Sequence, residues 1–228
     1  FKFGATGNQT LTWAANAHLP PRVIERYHDA RIVYVSSGNV YAYTPVDGGG
    51  ADEGSVPDPV GEYAQSRLGG ERLAIYMAQR LNADLLVVRL FYATELRYGI
   101  LHDLAHNIVT RTPINLMMGH VNQIWQGDAN AYLARAAPLA ANPVSVLNMT
   151  GPEVISIREI ARALGDRLGV DPVFEGTEIE TALLGDSSKL FELLGTPPTS
   201  LMQMADWVAH WVDMGGRSLG KPTRYESR

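Results

Sequence analysis

The sequence predicts an α/β protein built on a parallel β-sheet, and three observations carry this prediction. Residues 31–37 hold a short apolar run without Gly or Pro that ends in two serines, which is typical of a strand. Residues 84–90 form a continuous apolar run of the kind buried on both faces of a parallel sheet. Between them, residues from about 60 to 81 carry apolar side chains at helical spacing. Strand, helix and strand with short joins predict a right-handed crossover unit.

The remaining elements follow from breakers and capping residues. Gly48-Gly49-Gly50 and three prolines predict a long loop over residues 42–59. We expect the Asp128 carboxylate to cap one helix and the Ser156 hydroxyl to cap another. After residue 99 the predicted elements are a helix at about 100–111, extended pieces around 114–117 and 123–125, a helix at 128–141, a strand at 144–149, a helix from 156 and a last helix at about 199–214.

Composition excludes several classes of function. A net charge of −5 without a basic run argues against nucleic-acid binding. The chain has no cysteine, which excludes disulfides, thiolate metal sites and cysteine nucleophiles and fits the reducing cytoplasm. No run approaches the roughly 20 apolar residues of a membrane helix, so we expect no membrane partner. His102 and His106 share a helix face, but no third ligand is evident, so we predict no metal site.

The most informative motif joins a serine, a tyrosine and a basic residue. Ser37 ends the first strand, Tyr63 follows 26 positions later, and Arg67 lies four residues after Tyr63. The carboxyl end of a strand is where open α/β sheets bind ligands, and residues four apart share one face of a helix. A serine hydroxyl, a phenol and a cation brought together can move a proton to or from a substrate oxygen.

These residues resemble the Ser-Tyr-Lys site of the extended short-chain dehydrogenase/reductases, the NAD-dependent epimerase/dehydratase family. The resemblance implies a Rossmann-like doubly wound parallel sheet, of which residues 1–98 form the second half. It also implies a smaller α/β substrate domain over residues 99–228, with the strand near 144–149 returning to the main sheet. The implied activity is hydride transfer between NAD or NADP and a nucleotide sugar or related small molecule, as in epimerases (isomerases), dehydratases and reductases.

The resemblance assigns roles to individual residues. Tyr63 would be the acid/base, Ser37 would hydrogen-bond the reacting oxygen, and Arg67 would tune Tyr63. Cofactor contacts are implied for Asn16, Ser36, Tyr63, Arg67, Leu90, Phe91, Tyr92 and Ala93, and substrate contacts for Gly38, Asn39, Arg97, Asn122 and Trp125. The alternative interpretation of Asn16 is an amide on a helix surface, and that of Arg97 is a surface ion pair.

A glycine-containing stretch near the start of the chain invites a different assignment. Gly4-Ala-Thr-Gly7-Asn-Gln-Thr10 resembles the family's dinucleotide loop, with Thr10 in place of its third glycine. Only about 30 residues separate it from the serine strand, where a Rossmann-like sheet needs several βα units. We therefore expect the phosphate-binding loop to lie upstream of Phe1, and a turn at residues 4–10.

Arg67 is where the sequence departs from the family, because the lysine position holds an arginine. Arginine keeps the positive charge, which could still favour the phenolate form of Tyr63, but its planar guanidinium need not replace an ammonium. Three hypotheses stand: an active oxidoreductase of nucleotide sugars, a ketone or enone reductase outside sugar metabolism that shares the site but not the substrate pocket, or a non-catalytic nucleotide-binding protein with a regulatory or structural role on the same fold. As a further partner we consider a second copy of the chain, bound through helix 60–81.

Overall fold

The computed structural model describes residues 8–227, which contain both helices and strands. The helices are α1 (Gln9–Trp13), α2 (Leu19–Arg26), α3 (Gly61–Leu81), α4 (Ile100–Thr110), α5 (Gln126–Ala136), α6 (Ile157–Leu168), α7 (Ser188–Leu194) and α8 (Leu201–Asp213). The strands are β1 (Ile32–Ser37), β2 (Thr44–Pro45), β3 (Leu85–Leu90), β4 (Tyr92–Thr94), β5 (Ile114–Asn115), β6 (His120–Val121), β7 (Gln123–Trp125), β8 (Ser145–Met149), β9 (Ile155–Ser156), β10 (Phe174–Glu175) and β11 (Thr181–Ala182). Gly4 to Gly7 of the glycine stretch lie outside the described residues.

The main sheet has three parallel strands in the order β1-β3-β8. Its central strand, β3, is apolar on both faces because helices cover both. Leu85 and Val87 pack with side chains of α2 and α3, whereas Leu86 and Val88 pack with side chains of α5 and α7. Alternate residues of a strand point to opposite faces, so this continuous apolar run serves two helical layers. The α/β class with a parallel sheet, predicted from the sequence, is confirmed.

The second half of the chain has its own core, in which α4, α6 and α8 pack on one another. Short two-stranded pairings surround these helices: β5 with β10, β6 with β9, β4 with β7, and β11 with β2. None of the helices among residues 8–227 is long and apolar enough to cross a membrane.

Helix starts show where the local prediction holds and where it fails. The Ser156 hydroxyl accepts a hydrogen bond from the Glu159 N–H at 3.3 Å, so Ser156 caps α6 as predicted. The prediction for Asp128 was wrong, because α5 begins two residues earlier, at Gln126. The Asp128 carboxylate accepts instead from the main-chain N–H of Thr199 at 3.1 Å, a tertiary contact that capping rules do not describe.

A row of polar side chains crosses the sheet under α3. Ser36, Arg89 and Asn148 are register partners on the three strands, and all three are buried. The Arg89 guanidinium donates to the Glu71 carboxylate of α3 at 2.5 and 3.1 Å, and the Ser36 hydroxyl donates to the same carboxylate at 2.7 Å. Arg89 also donates to the Tyr41 hydroxyl at 2.5 Å, which donates to the Asn148 amide oxygen at 2.9 Å.

This network holds a fully buried ion pair, since the Glu71 and Arg89 side chains are 2% and 7% exposed. Burial by itself lowers the pKa of Arg89, but the hydrogen bond and charge of Glu71 outweigh it and raise the pKa overall. Burial raises the pKa of Tyr41, which keeps its hydroxyl neutral and able to donate. Each member of the row therefore has the partner that its buried polar atoms require.

We predict that Arg89→Met destabilises the protein by about 3–5 kcal/mol, because it leaves the Glu71 carboxylate buried without its counter-ion. Arg22→Met is the matched control, because Arg22 pairs with Glu25 at 3.6 Å on the surface, where such pairs contribute about 0–1 kcal/mol. Urea unfolding followed by circular dichroism measures both. Equal losses in the two variants would contradict this account of the network.

Candidate functional site

The end of β1 presents two serines in different environments. The Ser36 hydroxyl is directed to the Glu71 carboxylate. The Ser37 hydroxyl accepts from the Asn39 N–H at 3.2 Å and donates to the Asn39 side-chain oxygen at 3.0 Å. Ser37 thereby caps the short 3₁₀ turn Gly38–Val40 that follows the strand. A serine that ends a strand and caps the next turn is held at the carboxyl edge of the sheet, where this class of fold binds ligands.

Helix α3 carries Tyr63, Arg67 and Glu71 at intervals of four, so all three lie along one face toward the end of β1. The Arg67 guanidinium donates to the carbonyl oxygen of Val35, and its Cζ lies 5.4 Å from the centre of the Tyr34 ring. Cation and aromatic face attract at this distance. Arg67 is therefore held from two sides by β1, with its Nε atom buried and without a hydrogen-bond partner among the described residues.

Tyr34 supplies the aromatic floor beneath Arg67. Burial raises the pKa of Tyr34, while the nearby Arg67 cation acts in the opposite direction. The Tyr34 hydroxyl, like Arg67 Nε, is buried without a partner within residues 8–227. The phenol thus stays neutral and contributes its ring, not a charge, to the site.

A cavity of about 400 Å³ opens where β1, α3, β4, α4 and α5 meet. Nine of the predicted site residues line it: Ser36, Ser37, Asn39, Tyr63, Arg67, Leu90, Phe91, Tyr92 and Ala93. The volume lies within the range of small-molecule sites, about 300–1,000 Å³. The two hydroxyls and the cation of the sequence motif therefore border one shared space.

Five other predicted residues do not line this cavity. The Asn16 amide is buried and donates to the Ser66 hydroxyl at 3.0 Å, and the Asn122 side chain bonds the main chain of Gly185. Arg97 is exposed and pairs with Glu95 at 3.1 Å, the arrangement of a surface ion pair. The remaining two make packing contacts: Trp125 meets Trp207 edge-on at 5.2 Å, and Gly38 lies against Phe91.

Phe91 is enclosed by two glycines. A Cβ atom added to Gly38 or to Gly185 would overlap the Phe91 ring, from opposite segments of the chain. The ring also stacks on Tyr41 with centroids 6.0 Å apart. Glycine at these two positions lets the ring reach the cavity wall while staying 9% exposed.

Sequence reasoning missed several residues of the site. Glu71 could have been found, because it continues the four-residue spacing of Tyr63 and Arg67. Tyr98 and Thr223 also line the cavity, and Tyr34 lies against Arg67. These three residues gave no comparable signal, because their proximity to the site depends on packing between segments that are distant in the sequence. Among residues 8–227 no group of three His, Asp or Glu side chains could hold a metal ion.

Comparisons with known proteins give no match to a family model and none to a curated protein at the sequence level. Solved structures do match over most of the chain. The UDP-glucuronic acid 4-epimerase from Bacillus cereus in complex with NAD superposes with a TM-score of 0.75 at 19% identity, over 93% of this chain and 69% of that one. RMD from Pseudomonas aeruginosa complexed with NADPH gives a TM-score of 0.77 at 17% identity, over 91% and 76%. A UDP-galactose 4-epimerase gives 0.73 at 18% identity, over 92% and 73%.

The chain has the fold that these solved structures share. The Rossmann-like sheet that the resemblance implied is therefore confirmed as a fold. The boundary near residue 98 and the roles of individual residues stay predictions.

We predict that Gly38→Ala destabilises the protein by about 1–3 kcal/mol, because the added methyl group must displace the Phe91 ring. Gly54→Ala is the control, since the nearest atom to its new Cβ would be the Asp52 carboxylate oxygen at 3.5 Å. Thermal unfolding compares the two. A Gly38→Ala variant as stable as Gly54→Ala would show that the ring has room to move.

Proposed function

We propose that the protein is an NAD(P)-dependent epimerase, dehydratase or reductase acting on a nucleotide sugar. The observation that supports this most directly is the shared cavity of Ser37, Tyr63 and Arg67 at the carboxyl end of a parallel sheet. Solved proteins of the same fold were captured with such ligands, among them MoeE5 in complex with UDP-glucose and NAD, a structure 20% identical to this chain.

The residues present fit the nicotinamide end of NAD or NADP. Arg67 and Tyr63 both line the cavity, and the buried Arg67 Nε has no hydrogen-bond partner among the described residues. Hydroxyl and guanidinium donors suit ribose and carboxamide oxygens. Ser36, Leu90, Phe91, Tyr92 and Ala93 would complete this wall, and Asn16 would act through its contact with Ser66 at the back of α3. The bound nicotinamide would accept or return a hydride.

In this proposal, side chains of the protein transfer the proton and orient the substrate. Tyr63 gives a proton to the substrate oxygen or takes one from it. The Ser37 hydroxyl, which donates to the Asn39 side-chain oxygen in this structure, would rotate to donate its hydrogen bond to the substrate oxygen instead. Arg67 keeps a positive charge one helical turn from Tyr63, on the wall of the same cavity. Its contacts with the Tyr34 ring and the Val35 carbonyl oxygen hold the guanidinium in place.

The substrate contacts divide by position. Asn39 lines the cavity and is the best placed to meet a sugar hydroxyl, while Gly38 shapes the wall through Phe91. Arg97, Asn122 and Trp125 would affect substrate binding only indirectly. Each of them contacts another residue of the protein in this structure: Glu95, Gly185 and Trp207, respectively.

We also propose that two copies associate through α2 and α3. These helices pack on each other and expose large apolar side chains, including Leu19 (55%), Val23 (40%), Leu73 (45%) and Tyr76 (58%). Exposed apolar groups on neighbouring helices suit a self-complementary interface, in which the same patch serves both subunits.

The catalytic proposal predicts a graded set of variants in the full-length protein. Tyr63→Phe should lower kcat by about 10²–10⁴-fold, the usual contribution of a positioned acid or base. Arg67→Lys should keep activity because the charge is kept, whereas Arg67→Met should lose it. Tyr27→Phe, at an exposed tyrosine outside α2 and α3, is the control and should match the parent. NAD(P)H absorbance with a panel of nucleotide sugars measures the rates.

Two outcomes would count against this proposal in different ways. If the protein binds a nicotinamide nucleotide but neither the parent nor Arg67→Lys turns over any substrate, the non-catalytic hypothesis is the better one. If no nicotinamide nucleotide binds at millimolar concentration, the cofactor assignment itself is wrong.

The dimer proposal predicts that Tyr76→Glu converts the protein to a monomer at micromolar concentration, because a charge would be buried in the apolar interface. Val173→Glu, at another exposed apolar position (44%), is the control and should leave the mass unchanged. Sedimentation equilibrium measures the mass. A parent that is monomeric at about 100 µM would refute a stable interface of the usual 1,200–2,000 Å².

A further inference from the structure

The segment after α8 runs back across the start of α4, and we refer to residues 217–226 as the C-terminal strap. Its main chain is tied down at Leu219, whose N–H donates to the Arg97 carbonyl oxygen at 3.1 Å. The Ser218 hydroxyl lies 3.0 Å from His102 Nε2 of α4. Thr223 and Tyr225 are 8% and 5% exposed, whereas the residues between Arg217 and Pro222 are exposed. The strap is thus a surface segment that turns inward at Thr223.

The strap separates two cavities. Thr223 lines the 400 Å³ cavity that holds Ser37 and Tyr63. Its neighbours Pro222 and Arg224 line a second cavity of about 530 Å³, on the side of His106 and Glu175. Along this stretch the strap therefore forms the wall between the two cavities.

Asp103 holds Thr223 in this wall through two hydrogen bonds to one residue. Its carboxylate oxygen accepts from the Thr223 N–H at 2.7 Å and from the Thr223 hydroxyl at 2.6 Å. Bonds to both the main chain and the side chain fix the position and the rotamer of Thr223. Hydrogen bonds to an ionised acceptor are the stronger ones, so this contact is the firmest polar attachment of the strap.

We propose that Thr223 is a specificity-determining residue of the candidate site and that Asp103 is its positioning residue. The strap then sets how far a ligand extends from Tyr63 before it meets a wall, and a shorter or displaced wall would join the two cavities. The identity of that ligand as a nucleotide sugar rests on the proposed function. The existence and attachment of the wall do not.

Thiol labelling tests the wall without any substrate, because the chain has no cysteine and a single introduced thiol reports on its own position. Thr223→Cys should react slowly with a disulfide reagent such as DTNB, because the side chain is buried. Adding Asp103→Asn should speed the reaction about tenfold or more, since hydrogen bonds to a charged acceptor are lost. Adding Asp103→Glu in its place should restore slow labelling at least in part, because a carboxylate remains.

Met214→Cys is the matched control, since Met214 is 70% exposed and lies just before the strap. It should react fast with or without Asp103→Asn. A global loss of structure in the Asp103→Asn variant would appear in circular dichroism, and the Asp103→Glu comparison then decides. The proposal fails if Thr223→Cys reacts as fast as Met214→Cys, or if Asp103→Asn leaves the rate of Thr223→Cys unchanged.

Kinetics in the full-length protein test specificity separately. Thr223→Leu should change KM for the nucleotide sugar by about tenfold while kcat stays within about twofold, as expected for a contact made equally in ground and transition states. Lys221→Leu, on the second cavity's side of the strap, should change neither. An active enzyme with unchanged KM in Thr223→Leu overturns the specificity role. A protein that turns over no nucleotide sugar overturns the proposed function, while the labelling result still decides the wall.

Discussion

The buried ion pair between Glu71 and Arg89 is the interaction on which the arrangement of the site depends. Two charges removed from water are costly unless each finds its counter-ion and its remaining hydrogen bonds, and here Ser36 and Tyr41 supply those bonds. The pair joins α3 to the central strand, and the row extends to β8 through Asn148. If β3 were shifted by one residue, the Arg89 side chain would point toward the apolar layer that α5 covers. The ion pair therefore fixes the register of β3 as well as the position of α3.

Fixing α3 at Glu71 also fixes the two helical turns before it. Tyr63 and Arg67 therefore approach the end of β1 with little freedom to slide, and Arg67 gains further contacts from Tyr34 and Val35. A site assembled in this way is organised by buried polar contacts of the scaffold, not by the ligand. The candidate cavity and the polar row therefore both depend on how α3 is fixed at the carboxyl end of the sheet.

The sequence was sufficient for whatever depends on local pattern. The continuous apolar run of β3, the spacing of Tyr63 and Arg67, and the Ser156 cap all follow from periodicity or capping chemistry, and the resemblance led to the correct fold. It was insufficient where a side chain chooses between a local and a distant partner. Asp128 bonds Thr199 instead of its own helix, and Thr223 reaches the cavity 90 residues after Leu133, the lining residue nearest to it in the sequence. The domain boundary near 98 and the cytoplasmic location stay predictions.

The Phe91 ring between Gly38 and Gly185 has a consequence for how this chain can vary. The three positions share one fixed volume, so a side chain can be gained at a glycine only if the ring loses a comparable size. Among related sequences, residues 38, 91 and 185 should therefore change together, although they lie far apart in the chain. Such co-variation would show that these three residues conserve one packed volume beside the candidate cavity. The shape of the site would then be maintained by packing and not by its polar residues.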